Sequence, residues 1–323
     1  MLPVSFTAAY VVVWLVCRWK KQAVRIVVLV AALGTIALSG QKIYSRATFT
    51  EAENEYKLPQ AALDVADILA GAGVSWEGLF FAALPTTAGT GAEITNNAVL
   101  TDRESRIKQS LRHPSMVADA AVVDPDLTLS CPRELTAFSG LDAFVQAFES
   151  FTSPRSSALT RALAAEAVRK IFHSLEEAWK EPENIRARTE MAEASMLSGM
   201  AFSQTGLGAV HGLAHPVGSL LGVPHGLACA ILMRPVLEFN LPVCSEQYAD
   251  LADRTFIGSD ARSFLRAAGD LAEKLEVPEN LRSFALHRSD FEFIIKNCRS
   301  ASMKQNPREM TDRDVEAILE KML

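Results

Sequence analysis

An α/β lobe followed by an all-α domain is the fold that the sequence predicts, and three observations carry it. Two short apolar runs, Leu79-Phe-Phe-Ala-Ala-Leu84 and Ala120-Ala-Val-Val123, stop at Pro85 and at Asp124-Pro125, as fully buried strands do. The first leads directly into Thr86-Thr-Ala-Gly-Thr-Gly91, whose small residues leave backbone amides accessible. Beyond the second, apolar residues recur at helical spacing nearly to the end of the chain.

Taken in order, residues 1–57 stand apart. Residues 1–17 carry no charge, Arg18, Lys20, Lys21 and Arg25 follow, and residues 26–40 are again uncharged. Each run is shorter than the ~20 residues that span a bilayer. The second has the layout of a secretory signal but lies far from Met1. Buried strand and helix, or a misassigned start, is the expected account; membrane association through residues 1–40 is the alternative.

Residues 61–72 read as a helix. In residues 157–180, Ala164, Val168, Ile171, Phe172, Leu175 and Trp179 form one stripe, with Arg169, Lys170, Glu176 and Glu177 opposite. His173 falls on the polar side and is expected in solvent. Further helices are expected at 186–203, 261–275 and 311–322, the last opened by Thr311-x-x-Asp314.

With 323 residues, 49% of them hydrophobic, the chain can bury a large core. A net charge of −6 without a Lys/Arg block argues against nucleic acid and for a small-molecule ligand. The five cysteines, Cys17, Cys131, Cys229, Cys244 and Cys298, show no CxxC pairing, so neither a disulfide framework nor a thiolate zinc site is expected. A reducing, cytoplasmic compartment fits. Cys229 and Cys298, among apolar neighbours, are expected to be buried inert thiols.

Three of the six histidines, His211, His215 and His225, fall within one glycine-punctuated apolar stretch. Neutral imidazole is the commonest ligand for divalent transition metals. His211 and His215, four apart, share one helix face, and Gly218, Gly222 and Pro224 supply breaks that return His225 to it. Asp142 sits in an otherwise apolar helical stretch, where a lone carboxylate needs a cation or a helix terminus, and Gln146 lies one turn further on. Such a mixed O/N cage suits Fe(II) or Zn(II).

Pro85-Thr-Thr-Ala-Gly-Thr-Gly-Ala-Glu93, Leu100-Thr-Asp with Lys108, Asp124-Pro-x-Leu-Thr128, Gly140-Leu-Asp-Ala, His211-Gly-x-Ala-His215 and Pro224-His-Gly occur in the order and spacing of the iron-containing (group III) alcohol dehydrogenases, which residues 61–323 resemble. An Asn306-Pro-Arg308 motif near the end extends the likeness. The resemblance implies metal ligands at Asp142, His211 and His225, with Gln146 at the fourth position, ordinarily His. It implies a substrate-side proton-relaying role for His215 and contacts to NAD or NADP from Thr86, Thr87, Thr90 and Lys108. The activity implied is hydride transfer between a small alcohol or aldehyde and NAD(P), assisted by Fe(II) or Zn(II) as a Lewis acid.

One departure lies upstream. The family's Gly-Gly-Gly-Ser phosphate turn is replaced by Leu58-Pro-Gln-Ala61, and Pro59 has no amide hydrogen to offer a phosphate. The expected organisation is thus a divergent segment (1–57), a shortened dinucleotide-binding α/β lobe (58–130) and an all-α metal-binding domain (131–323). Two alternatives stay open: a catalytically impaired relative that acts as a metal-binding or membrane-tethered non-enzyme, and a metal-dependent hydrolase. A homo-oligomer is also open.

Overall fold

Helix α1, Arg133–Thr152, is the axis of the helical domain in a computed structural model that describes residues 81–101 and 108–323. From Gly140 to Thr152 every residue of α1 is buried, the signature of a helix surrounded on all sides. Helices α2 (Ala158–Lys180), α3 (Ile185–Thr205) and α5 (His225–Arg254) pack around it, and α4 (Ala209–Leu221) lies against α5. Helices α6 (Ala261–Lys274), α7 (Phe291–Asn297) and α8 (Asp312–Met322) complete the domain. Phe144 and Phe148 of α1 meet Phe172 and Phe264 at ring separations of 5.0–6.3 Å, tying α1, α2 and α6 into one core.

The caps follow from sequence. Ser157 and Thr160 form a reciprocal capping box at the start of α2, and Thr311 with Asp314 does the same for α8, as the sequence predicts. The α2 stripe is buried at Ala164, Val168, Ile171, Leu175 and Trp179, and His173 is exposed as expected. Lys170 differs. It is expected on the solvent face but is only 8% exposed, because α3 packs there and offers Glu190 and Glu193 at 2.6 and 2.8 Å from its ammonium.

Before α1 the described chain holds four short strands. β1 (Ala82–Ala83) pairs in parallel with β4 (Ala120–Ala121), and β2 (Asn97–Thr101) pairs antiparallel with β3 (Lys108–Arg112). The fully buried strand expected at 79–84 is corrected: within the described residues β1 is two residues long and the adjoining Leu84 is 54% exposed. A pair so short presents no face wide enough for a helix to cover. The expected helix at 61–72, the turn at 58–61 and the apolar runs of residues 1–40 lie outside the described residues.

The turn between α4 and α5 uses fewer breaks than expected. Gly218 stays inside α4; Gly222, at φ 70°, ends it in the left-handed conformation, and Pro224 caps α5. Helix α5 is itself unforeseen, since Pro235 and Pro242 lie inside it. It is the one helix among the described residues long and apolar enough to cross a membrane, and 67% of its most apolar window is buried in the fold.

Candidate metal centre

Its place in the middle of α1 leaves Asp142 only 2% exposed, where a carboxylate without partners is costly. Its partners come from α4, from α5 and from the next turn of α1. Oδ1 lies 3.1 Å from His211 Nε2 and 3.8 Å from His225 Nε2, while Oδ2 accepts from Gln146 Nε2 at 2.9 Å. His225 Nε2 is also 3.8 Å from Cys229 Sγ. One donor atom from each of Asp142, His211, His225 and Cys229 lies within 4.8 Å of the others.

These residues fit a divalent metal. A four-coordinate ion with bonds of about 2.0–2.3 Å separates its ligand atoms by roughly 3.3–3.8 Å, and the 3.1 and 3.8 Å contacts bracket that range. His211 supplies a second argument. Its Nδ1 meets Glu149 Oε2 at 2.7 Å and its Nε2 meets Asp142 Oδ1, so both ring nitrogens face carboxylate oxygens that can only accept. The ring is therefore either a cation itself or, with Nδ1–H donated to Glu149, turns its Nε2 lone pair towards one.

Glu149 also accepts from the backbone amides of Gly208 and Val210, both at 2.8 Å, so one carboxylate caps the start of α4 and orients the first histidine on it. Asn306 completes this end of α4. Its Oδ1 accepts from Ala209 N at 3.2 Å, and its amide pairs reciprocally with that of Asn240. Arg308 stacks over Phe239 and donates to its carbonyl. The Asn306-Pro-Arg308 motif thus anchors α4 to α5.

Charges in the cluster support one another. Burial alone would raise the Asp142 carboxyl, but the His211 hydrogen bond and the nearby histidine charges hold it below its ordinary range. Burial would lower His211, yet the charges of Cys229 and Glu149 and the hydrogen bond to Asp142 carry it well above the usual imidazole value. The Cys229 charge is also the largest influence raising His225. Burial would raise the Cys229 thiol; His211 and His225 bring it down instead.

All five residues read from the sequence around the metal come together here: Asp142, Gln146, His211, His215 and His225. His215, half-buried, stacks on the His225 ring at 5.1 Å, and its ring is not among the four clustered donors. Gln146 turns its amide nitrogen to Asp142 and its carbonyl towards Ser198 Oγ at 3.4 Å. The expectation of an inert Cys229 is corrected, because α5 carries its sulfur into the cluster. Glu149 was also missed. The available signals were helical spacing: Asp142, Gln146 and Glu149 stand at i, i+4 and i+7, and His225 and Cys229 at i and i+4.

Three of the four cofactor candidates, Thr86, Thr87 and Thr90, lie on the loop after β1. Thr86 and Thr90 are exposed and Thr87 is half-buried. A Cβ at Gly89 would come within 2.6 Å of Ser139 Cβ, so the loop seats itself on α1 one turn before Asp142. Gly91, at φ 58°, closes against Gly199 of α3 with no room for a side chain. Lys108 begins β3, paired with Thr101.

Comparison with known proteins matches residues 56–125 to the iron-containing alcohol dehydrogenases and residues 136–323 to the C-terminal domain of that family. The chain belongs to the iron-containing alcohol dehydrogenase family. Within it, the chain is 35% identical over 255 residues to the 1-propanol dehydrogenase PduQ of Salmonella typhimurium, covering 75% of this chain and 69% of that protein. It is 40% identical over 201 residues to the probable alcohol dehydrogenase EutG of Escherichia coli, covering 62% and 51% respectively. The fold resembles a crystal structure of 1,3-propanediol oxidoreductase (TM-score 0.72, 32% identity, 75% of this chain and 65% of that one). It also resembles sulfoacetaldehyde reductase from Bifidobacterium kashiwanohense in complex with NAD+ (TM-score 0.71, 30% identity, 75% and 64%). The chain therefore spans about two thirds or less of the length of these relatives. Among the described residues, the helical domain follows a short strand-containing part.

Proposed function

We propose that this family member transfers hydride reversibly between a small alcohol, or its aldehyde, and NAD(P), with a divalent metal held by Asp142, His211 and His225. The observation that carries the reading is the convergence of these three donors from three helices on one buried point. A bound divalent ion supplies Lewis-acid polarisation of the substrate oxygen. Substrate class and nicotinamide are carried over from relatives named for 1-propanol and for an NAD+ complex.

The chain's own residues hold and orient. Glu149 fixes the His211 tautomer by accepting from Nδ1, and Gln146 steadies Asp142 through Oδ2. His215, stacked on His225 and in part open to solvent, passes a proton between substrate oxygen and water. Thr86, Thr87, Thr90 and Lys108 contact the dinucleotide from residues 58–130, while residues 131–323 carry the metal.

The test is purified protein loaded with Fe(II) or Zn(II), given NADH or NADPH and a short aldehyde. Loss of nicotinamide absorbance that needs the metal is expected. No loss at any metal loading, with no nicotinamide binding by calorimetry, would overturn the dehydrogenase reading; metal bound under those conditions would leave a metal-binding non-enzyme.

A further inference from the structure

Resting on that reading of the metal site, we propose that Cys229 coordinates the metal through its sulfur, completing a ligand set of Asp142, His211, His225 and Cys229, with Gln146 a positioning residue outside it. Three observations carry this. First, Cys229 Sγ is 3.8 Å from His225 Nε2 and belongs to the group of donor atoms lying within 4.8 Å of one another. Second, the Gln146 amide is already engaged at both ends. Nε2 donates to Asp142 Oδ2 and Oε1 faces Ser198 Oγ, so turning the carbonyl to a metal would take the N–H away from the Asp142 carboxylate and set a second acceptor against it.

Third, charge favours the sulfur. A thiolate is an anionic donor that suits zinc-type ions, whereas an amide carbonyl is a neutral one, so a divalent ion is held more strongly by Cys229 than by the Gln146 carbonyl. Asp142, His211 and Cys229 are 2% exposed or less, so the difference is felt in a medium that screens weakly. On metal entry the Sγ–H bond breaks, its proton leaves to solvent, and the sulfur lone pair forms the bond to the ion; nothing is oxidised. A soft thiolate beside two imidazoles moves preference from Fe(II) towards Zn(II).

Cobalt(II) on the full-length chain is the probe. A near-ultraviolet sulfur-to-cobalt charge-transfer band that saturates at stoichiometric cobalt is expected, abolished by Cys229→Ser. Zinc affinity should fall in Cys229→Ser by more than the about 10–100-fold that loss of an outer partner costs, while Gln146→Ala stays within that range and keeps the band. Cobalt bound stoichiometrically and removed by Asp142→Ala, but without the band, overturns the thiolate ligand and leaves the metal centre standing. A band lost in Gln146→Ala and kept in Cys229→Ser overturns it equally. Failure of the wild-type chain to bind cobalt or zinc at all overturns the metal-centre reading itself. The wild-type spectrum decides the first point without any variant, so a Cys229→Ser chain that failed to fold would not shelter the proposal.

Discussion

Replacing Glu149 by glutamine keeps the shape of the side chain and removes its ability to accept at every position. Three N–H groups point at this carboxylate: Val210 N at Oε1, and Gly208 N and His211 Nδ1 at Oε2. In Glu149→Gln the best orientation turns the new NH2 towards Val210, keeping two bonds and orphaning one buried N–H. That orphan costs about 1–3 kcal/mol. The two remaining bonds lose their charge assistance, which is worth roughly half their strength, so a total of about 2.5–6 kcal/mol is expected. His211 also loses the anion that fixes its tautomer, and metal affinity should fall about 10–100-fold, roughly 1.4–2.7 kcal/mol. Urea unfolding of the chelator-stripped protein measures the first quantity, and competition of zinc against a chromophoric chelator measures the second. Destabilisation with unchanged zinc affinity would reduce Glu149 to a helix cap. If neither quantity moves, the polar network described around His211 is refuted.

Other consequences are as direct. A Cβ on Gly226 would stand 2.2 Å from the Phe138 carbonyl oxygen, so Gly226→Ala must push the start of α5 off α1; about 1–3 kcal/mol of stability and most of the zinc affinity should go with it, read by unfolding and metal titration. Asn306→Ala strips Ala209 N–H and the Asn240 amide of partners and should cost about 2–4 kcal/mol, with little change if water enters instead. Lys170→Met should cost about 1–2 kcal/mol near neutral pH, discounted for the part-exposed glutamates. Burial opposes the Lys170 charge, but the hydrogen bonds it donates to Glu190 and Glu193 outweigh it and raise its pKa above 10.5. The stabilisation is thus fully present below that value and lost as pH rises through the higher folded pKa, so wild type and variant should converge in strong alkali. A gap that persists there would assign the effect to packing.

What the sequence makes legible, and what it hides, divides along a physical line. Patterns local to one helix read directly: the α2 stripe, the Thr311 capping box, and an Asp142 whose carboxylate has no business in an apolar run unless something meets it. Facts that depend on two elements do not. Lys170 reads as solvated until α3 brings two glutamates over it, and the 79–84 run reads as a covered strand until its neighbour proves two residues long. Helix α5 is hidden by two prolines that tertiary packing tolerates.

The candidate fourth metal ligand is the sharpest case. Gln146 follows Asp142 by four residues on α1, and Cys229 follows His225 by four residues on α5, so helical spacing nominates both equally. The choice between them depends on how closely the two helices approach and which way one amide turns. The approach is set by Gly226, whose lack of a side chain lets α5 begin directly against the Phe138 carbonyl. The amide is set by Asp142, which takes its N–H, with Ser198 of a third helix facing the carbonyl. Apart from the glycine beside His225, nothing in the sequence signals either approach. A glutamine in place of a histidine ligand therefore reads as a weakened site when the helix is considered alone. With α5 in place, the anionic donor that offsets that loss comes from the other helix.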